Sequence, residues 1–274
     1  MGTVAGLDKL VSVVMASYNG SKTISLAIES IASQTYTNWE LIVVDDTSTD
    51  DTLSIVKGFE SKINIKIIQN KVNLGLARSL NRGIAAASGD YIARMDDDDV
   101  SRPERFEKQI EFLQNNLDVD VLGTGVFLVD ASFQGIGEQN RPEHDSEIKD
   151  ALCKYNPICH PTVMMRRSFV ERFGGYDEAL RWKEDYELWG RAASSSKYHN
   201  LQEPLLDYRV KKSKTLKAVP TSVRIRVQNG MLRGCFLKSL YWAVLYVLSS
   251  VARKFGYTQK AHRRVGRKRT ISGW

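Results

Sequence analysis

Cysteine is scarce in this 274-residue chain: Cys153, Cys159 and Cys235, with no Cys-x-x-Cys among them. Three scattered thiols are too few for a disulfide frame, and Cys159-His160 lacks the other half of a metal site. A reducing, cytoplasmic setting is therefore the default, with the Cys159-His160 pair reduced and partly buried. The opening MGTVAGLDKL has no apolar core of signal-peptide length, and Gly6 stands where N-myristoylation requires Ser or Thr. Long hydrophobic runs are missing too. The longest, residues 240–248, has nine uninterrupted apolar residues, against the roughly 20 that a membrane span wants. No G-x-G-x-x-G follows the first expected strand and no G-x-x-x-x-G-K-[ST] occurs anywhere, which argues against a dinucleotide-dependent oxidoreductase and a P-loop NTPase. Internal repeats are absent, as is any low-complexity linker before residue 210.

Negative charge is absent from one whole segment. Residues 209–274 carry 17 Lys and Arg and no Asp or Glu (+17), whereas residues 1–208 carry 22 basic and 32 acidic side chains (−10). An acidic body with a basic tail implies that the tail meets something anionic. The remaining composition, 42% apolar and 26% charged, is that of an ordinary globular protein able to bury an α/β core.

Short β-branched runs alternate with helical spacing. Residues 11–16 (VSVVMA), 40–45 (ELIVVD), 63–68 (INIKII) and 91–94 (YIAR) read as strands. Ile24, Ala27, Ile28 and Ile31 mark a helix over 22–34, and further helices are expected near 50–60, 74–87 and 102–116. Such alternation predicts a doubly wound, mostly parallel sheet. Beyond it the spacing predicts a strand and Gly-rich turn over 120–137, a helix over 145–155, a strand over 161–166, a turn at Gly174-Gly175 and a helix over 183–193. In parallel sheets ligands collect beyond the carboxyl ends of the strands. Tyr18, Asp46 and the four aspartates 96–99 all fall at those ends, so they are expected to converge.

Four consecutive aspartates read either as a solvated acidic loop or as a site for a hard divalent ion, Mg²⁺ or Mn²⁺, shared with substrate phosphates. Their place after a buried strand favours the ion, and the Gly spacing of a calcium-binding helix–loop–helix is missing. The residues by themselves leave two chemistries open, sugar transfer and nucleotidyl transfer.

The ordered set VSVVMASYNG, SQTYTNWELIVVDDTSTDDT, NLGLARSLNRGIAAASGDYIARMDDDD, RPERFEKQ, GGYDE and KEDYELWGR resembles the family 2 glycosyltransferases of the GT-A fold, in particular the bacterial enzymes of O-antigen and capsule assembly. The match runs over about residues 10–208. This resemblance implies a UDP-sugar donor bound by Tyr18, Asp46, Arg78, Asp96 and Asp97. It implies a Mn²⁺ or Mg²⁺ held by Asp98 with Asp96, in the DxD positions. Asp185 would be the general base, with Glu184 and Trp182 toward the acceptor. It further implies an inverting, metal-dependent hexosyl transfer, galactose or glucose, onto a polyprenyl-diphosphate-linked saccharide. Two positions depart from the pattern: Ala16, where relatives often have Thr or Pro, and Asp97, where a small residue is common. A nucleotide-sugar-forming nucleotidyltransferase would want a Gly-rich, basic loop after the first strand, which SYNGSK does not supply. A non-catalytic, membrane-associated sugar-binding protein would have no need of Asp98 and Asp185.

The chain is thus expected to divide into a catalytic unit, 1–210, with a nucleotide-binding half (1–100) and an acceptor-binding half (101–210), and a basic amphipathic helical tail, 211–274. The apolar, Tyr- and Trp-bearing stretch 235–251, followed by Arg253, Lys254, Lys260 and Arg263, suits a helix lying on an anionic membrane surface rather than on nucleic acid. The expected place is peripheral, on the inner face of the cell membrane, with residues 230–274 as the contact.

Overall fold

The computed structural model describes residues 9–210 and 218–254. Strands β1 (Val11–Ser17) and β2 (Trp39–Asp45) are buried along most of their length, which is why both read as unbroken apolar runs rather than alternating ones. Each needs cover on both faces, and alternate side chains serve the two sides. Val11, Val13 and Met15 pack with Ile24, Ala27, Ile28 and Ile31 of α1 (Ile24–Ala32). Val14 points the other way, into a second core with Ala77 and Leu80 of α3 (Leu76–Ala86). Gly83 lets that helix lie close: a Cβ there would overlap the Val14 and Val44 side chains.

Helix α2 (Thr52–Lys57) leads to β3 (Ile65–Gln69), and β4 (Tyr91–Asp96) follows α3. The parallel strands run β3-β2-β1-β4, so the chain reverses its winding between β1 and β4. At this switch the adjoining loops diverge and open a crevice. Register fixes what lines it: Ser17 pairs with Asp45, and Ala16 lies between Val44 and Asp96.

The sheet continues antiparallel through β8 (Met164–Arg166) to β6 (Val121–Val129); β9 (Tyr198–Arg209) then pairs parallel with β6, and the two-residue β5 (Val100–Ser101) and β7 (Gly135–Gln139) pair antiparallel with β9 and β6. Helix α4 (Arg105–Asn115) closes the first core; α5 (Asp145–Ala151), α6 (Arg167–Phe173) and α7 (Glu184–Ala192) contribute to the second. The α/β architecture expected from the sequence is present, but the sheet is mixed rather than mostly parallel: four pairings are parallel and four antiparallel among the described strands.

Several elements differ from the sequence reading. The strand expected over 161–166 is a 3₁₀ turn, His160–Thr162, followed by only three strand residues, because Pro161 has no N–H for a ladder. The 12-residue β9 escapes notice because Pro204 interrupts it; the ladder with β6 shifts register around Gly125 and Pro204, which accommodates the missing donor. Helix α8 (Val219–Leu232) buries Ser222, Ile225, Arg226, Asn229 and Gly230, a mostly polar face with no apolar stripe to read. It packs on α7 and on α9 (Phe236–Lys254). The cysteines also depart from expectation. The start of α9 returns to the end of α5, and Cys235 is joined there to Cys153 across 82 residues of sequence.

Candidate active site

Three strand ends supply one side of the crevice. After β1 the chain turns through Asn19 at φ 55°, and after β2 through Thr47 at φ 64°. The Asn19 amide donates to Ser48 Oγ at 2.9 Å, and the Thr49 amide donates to Asn19 Oδ1 at 2.8 Å, which ties the two loops together. Left-handed backbone is uncommon outside glycine and unfavourable for a β-branched residue such as Thr47. Of the four non-glycine residues with positive φ among those described, three adjoin residues singled out from the sequence: Asn19 follows Tyr18, Thr47 follows Asp46, and Lys183 (φ 67°) precedes Glu184. Strain concentrated in this way marks a functional site.

Tyr18 is 52% exposed at the rim, a ring surface open to a ligand. Asp46 is buried. Its Oδ1 accepts from Asn70 Nδ2 (2.6 Å) and the Leu74 amide (2.8 Å), and its Oδ2 from the Gly75 amide (2.8 Å). It therefore fixes the loop that leads into α3. Arg78, one turn into that helix, is half-exposed and lies 3.6 Å from Glu178 in a surface ion pair.

The aspartate run divides into four environments. Asp96 pairs with Arg94 through Oδ1, yet its side chain stays 30% exposed. Asp97 accepts a hydrogen bond from Ser17 Oγ beneath Gly20. Asp98 is buried at the turn. Asp99 is buried too, accepts from the Arg209 amide at 2.8 Å, and has its carboxyl pushed well above the usual range by desolvation and by the Asp96 charge. A Cβ at residue 20 would overlap Asp97 Oδ2 and come within 2.6 Å of Ser17 Oγ. If Asp97 contacts the donor, Gly20→Ala is expected to weaken UDP binding by about tenfold, the scale of one charge-assisted hydrogen bond. Calorimetric titration checks this, and an unchanged Kd would separate Asp97 from the donor.

Opposite lies the N-terminus of α7. Glu184, Asp185 and Glu187 occupy its first turn, where carboxylates suit the helix dipole. Asp185 accepts from the Tyr186 amide at 2.8 Å and from Asn156 Nδ2. Both Glu184 and Asp185 are buried. Burial, then the neighbouring Asp185 charge, raise the Glu184 carboxyl from 4.5 to about 7; Arg94 opposes this and Asp96 adds to it. Glu184 thus feels both members of the Arg94–Asp96 pair, and Tyr176 feels Arg94, Asp185, Glu184 and Asp96 together. Arg94 and Asp96 of β4 are therefore near enough to Glu184 of α7 to act on its charge. Trp182 is half-buried beside them, while Trp189 is fully buried core. His160 is buried, shares a 2.8 Å hydrogen bond with Tyr176 Oη, and is held well below its usual range by burial and then by Arg94.

Arg94 and Asn156 are not among the residues that the sequence points to. Arg94 had a readable signal. A charge inside an apolar strand must be paired, and residues two apart in a strand share a face, which puts Asp96 beside it. Asn156 had none, being an unremarkable loop residue 29 positions from Asp185.

Asp96 and Asp98 offer the hard carboxylate oxygens that Mg²⁺ or Mn²⁺ prefers, and Asp96 retains Oδ2 for that purpose while Arg94 holds Oδ1. Among the described residues no three His, Cys, Asp or Glu side chains form a cation cage. That set fits an ion shared with a ligand's phosphates, since Mg²⁺ is usually bound by one or two carboxylates with substrate oxygens completing the sphere.

Comparison with known proteins places the chain in a family. Residues 12–174 match the glycosyl transferase family 2 profile. EpsE of Bacillus subtilis (strain 168), named as a glycosyltransferase, is 44% identical over 204 residues, covering 73% of this chain and 72% of its own. WfgD of Escherichia coli, a UDP-Glc:alpha-D-GlcNAc-diphosphoundecaprenol beta-1,3-glucosyltransferase, is 36% identical over 182 residues, 66% of this chain and 69% of its own. The crystal structure of S. aureus TarS 1-349 in complex with UDP-GlcNAc superposes with a TM-score of 0.66 at 22% identity, over 81% of this chain and 65% of that one, just under two thirds of its length. The match over most of the chain, with the strand-end crevice and the α7 carboxylates in place, makes this chain a member of glycosyl transferase family 2, a glycosyltransferase of GT-A fold.

Proposed function

We propose that this glycosyltransferase moves a hexose, galactose or glucose, from a UDP-sugar onto a polyprenyl-diphosphate-linked saccharide, with inversion at the sugar carbon, in O-antigen or capsule assembly. What supports this reading is that the charges of Arg94 and Asp96 on β4 act on Glu184 at the start of α7, as expected if the β4 and α7 carboxylates serve one pocket. WfgD, by its name, uses UDP-Glc and a diphosphoundecaprenol-linked acceptor, which supports the donor and acceptor classes.

Tyr18 offers its ring to the uracil. Asp46, with an acceptor position left on Oδ2 beyond the Gly75 bond, takes the ring N–H. Arg78 reaches the nucleotide once released from Glu178. Asp96 and Asp97 border the ribose and diphosphate. Asp98 and Asp96 would hold a Mn²⁺ or Mg²⁺, which would offset negative charge on the UDP leaving group. Asp185, oriented by Asn156 and the Tyr186 amide, removes the acceptor hydroxyl's proton as the new bond forms. Glu184 and Trp182 shape the acceptor side. One base facing one leaving group gives direct in-line displacement, hence inversion. No described helix is long and apolar enough to cross a membrane; a lipid-linked acceptor would bring the enzyme to the inner membrane face as a peripheral protein.

UDP release from a panel of UDP-sugars tests the reading. With Mn²⁺ and a lipid-diphosphate saccharide, one UDP-hexose is expected to outpace the rest, and excess chelator should remove its turnover. Release of pyrophosphate from a nucleoside triphosphate instead would establish the nucleotidyltransferase alternative, and no turnover of any donor would leave a binding protein.

A further inference from the structure

Helix α9 presents its surface in an unusual sense. Leu237 (78% exposed), Tyr241 (60%), Val244, Leu248 (60%) and Val251 recur at steps of four and three, one stripe along the helix, and all are exposed. The opposite face carries the small residues Ser239, Ala243 and Ser250, which are buried, and α9 packs on α8. A helix of a soluble domain turns its large apolar residues inward. Here they form a continuous outer ridge, and contiguous exposed apolar surface of this kind marks an interaction site.

The surroundings identify the partner. Arg224, Arg233 and Lys238 are exposed on α8, the turn and α9, and the sequence runs through Arg253 and Lys254 at the end of the helix to Lys260, Arg263, Arg264, Arg267, Lys268 and Arg269 with no acidic residue. An apolar ridge with Tyr in it, flanked by Arg224, Arg233 and Lys238, the last paired with Asp150, and followed in sequence by cations alone, complements a surface apolar within and anionic at its rim. That surface is an anionic lipid bilayer.

The ridge is joined to the catalytic side. Arg226, buried in α8, donates from Nε to the Lys154 carbonyl at 2.6 Å, and its guanidinium lies 4.0 Å from the Tyr246 ring and 5.8 Å from that of Tyr186. Asn229 Nδ2 donates to the Leu152 carbonyl at 3.1 Å, Tyr186 Oη donates to the same carbonyl at 2.5 Å, and Lys238 pairs with Asp150. The α8–α9 pair therefore braces both the 150–156 segment, which supplies Asn156, and Tyr186, the residue after Asp185. We infer that the outer face of α9 is a docking surface for an anionic bilayer, held rigidly against the elements that orient Asp185. The docking itself stands on the α9 surface alone; its use in presenting a lipid-linked acceptor rests on the reading of the previous subsection.

Flotation of the full chain with phosphatidylglycerol/phosphatidylcholine vesicles, without donor or acceptor, tests the docking separately from the chemistry. The chain should float with these vesicles, and much less with phosphatidylcholine alone or in high salt. The double variant Tyr241→Asp/Leu248→Asp, altered only at exposed positions, should lose roughly tenfold or more in partitioning while keeping parental UDP affinity and melting temperature. Equal flotation of variant and parent would overturn the inference. So would absence of flotation together with a self-associated parent that the variant turns monomeric, since a second copy would then cover the ridge.

Discussion

Asp185→Asn is expected to fold, bind UDP with the parent's affinity, and lose between about a hundredfold and ten-thousandfold in sugar transfer, the range a positioned general base contributes. The amide keeps the size of the side chain and can still accept from the Tyr186 amide, so α7 should form normally. What it cannot do is take a proton. The same substitution carries a pH signature. Asp185 is the second cause, after burial, of the raised Glu184 carboxyl at about 7, and removing that charge should bring Glu184 toward its ordinary range. Ionised Glu184 places a second negative charge beside the base and strengthens it, so the parent's transfer rate should climb as pH rises through about 7. Residual transfer in Asp185→Asn should climb at lower pH, and Glu184→Gln should abolish the limb. Stability runs the other way. A carboxyl that binds its proton more tightly when folded favours the folded state at low pH, so this contribution fades as pH rises from about 4.5 to about 7. Near-parental turnover in Asp185→Asn, measured as UDP released per enzyme, would remove Asp185 from the role.

Much of this site was legible in the sequence because strand ends are. An apolar run that stops at an Asp or a Tyr states where a parallel strand leaves the core, and β1, β2 and β4 do so at Ser17, Asp45 and Asp96, all at one edge. Other features were written in tertiary contacts alone. Asp46 is recognisable as a strand-end carboxylate, but only the fold shows that Asn70, Leu74 and Gly75 occupy most of its acceptor positions. Arg78 has the right place in the motif, and only the fold brings Glu178 to it across 100 residues. The α8 helix shows no apolar stripe because its buried face includes Arg226 and Asn229, whose side chains donate to backbone carbonyls of the same helix and of the 150–156 segment. Amphipathic patterning detects burial of apolar groups, and it misses a face that is buried through satisfied polar ones.

Arg94→Met is the substitution expected to cost most in stability, about 1–3 kcal/mol, the scale for leaving a partly buried group, here Asp96 at 30% exposure, without its partner. The volume is nearly kept, so the loss is electrostatic. Arg94 is fully buried in β4, and its charge acts on Asp96, Asp99 and Glu184. A second buried cation, Arg105, donates to the Arg94 carbonyl at 2.9 Å, so it braces the strand, but burial holds its own guanidinium down at about 9. With Arg94 gone, Asp96 loses its partner and the carboxylates at the end of β4 are left close together with less positive charge between them. Urea unfolding at neutral pH should show the loss as a lower midpoint with an unchanged slope. At acid pH, where protonation removes the uncompensated charge, variant and parent should converge. A merely volumetric role for Arg94 predicts the same small deficit at every pH. The variant that folds at reduced temperature supplies the functional arm: Arg94 holds down the proton affinity of Glu184, so its removal should move the transfer-rate limb above pH 7, opposite to the shift expected for Asp185→Asn. Two single substitutions that displace one limb in opposite directions would tie the β4 and α7 carboxylates to a single pocket.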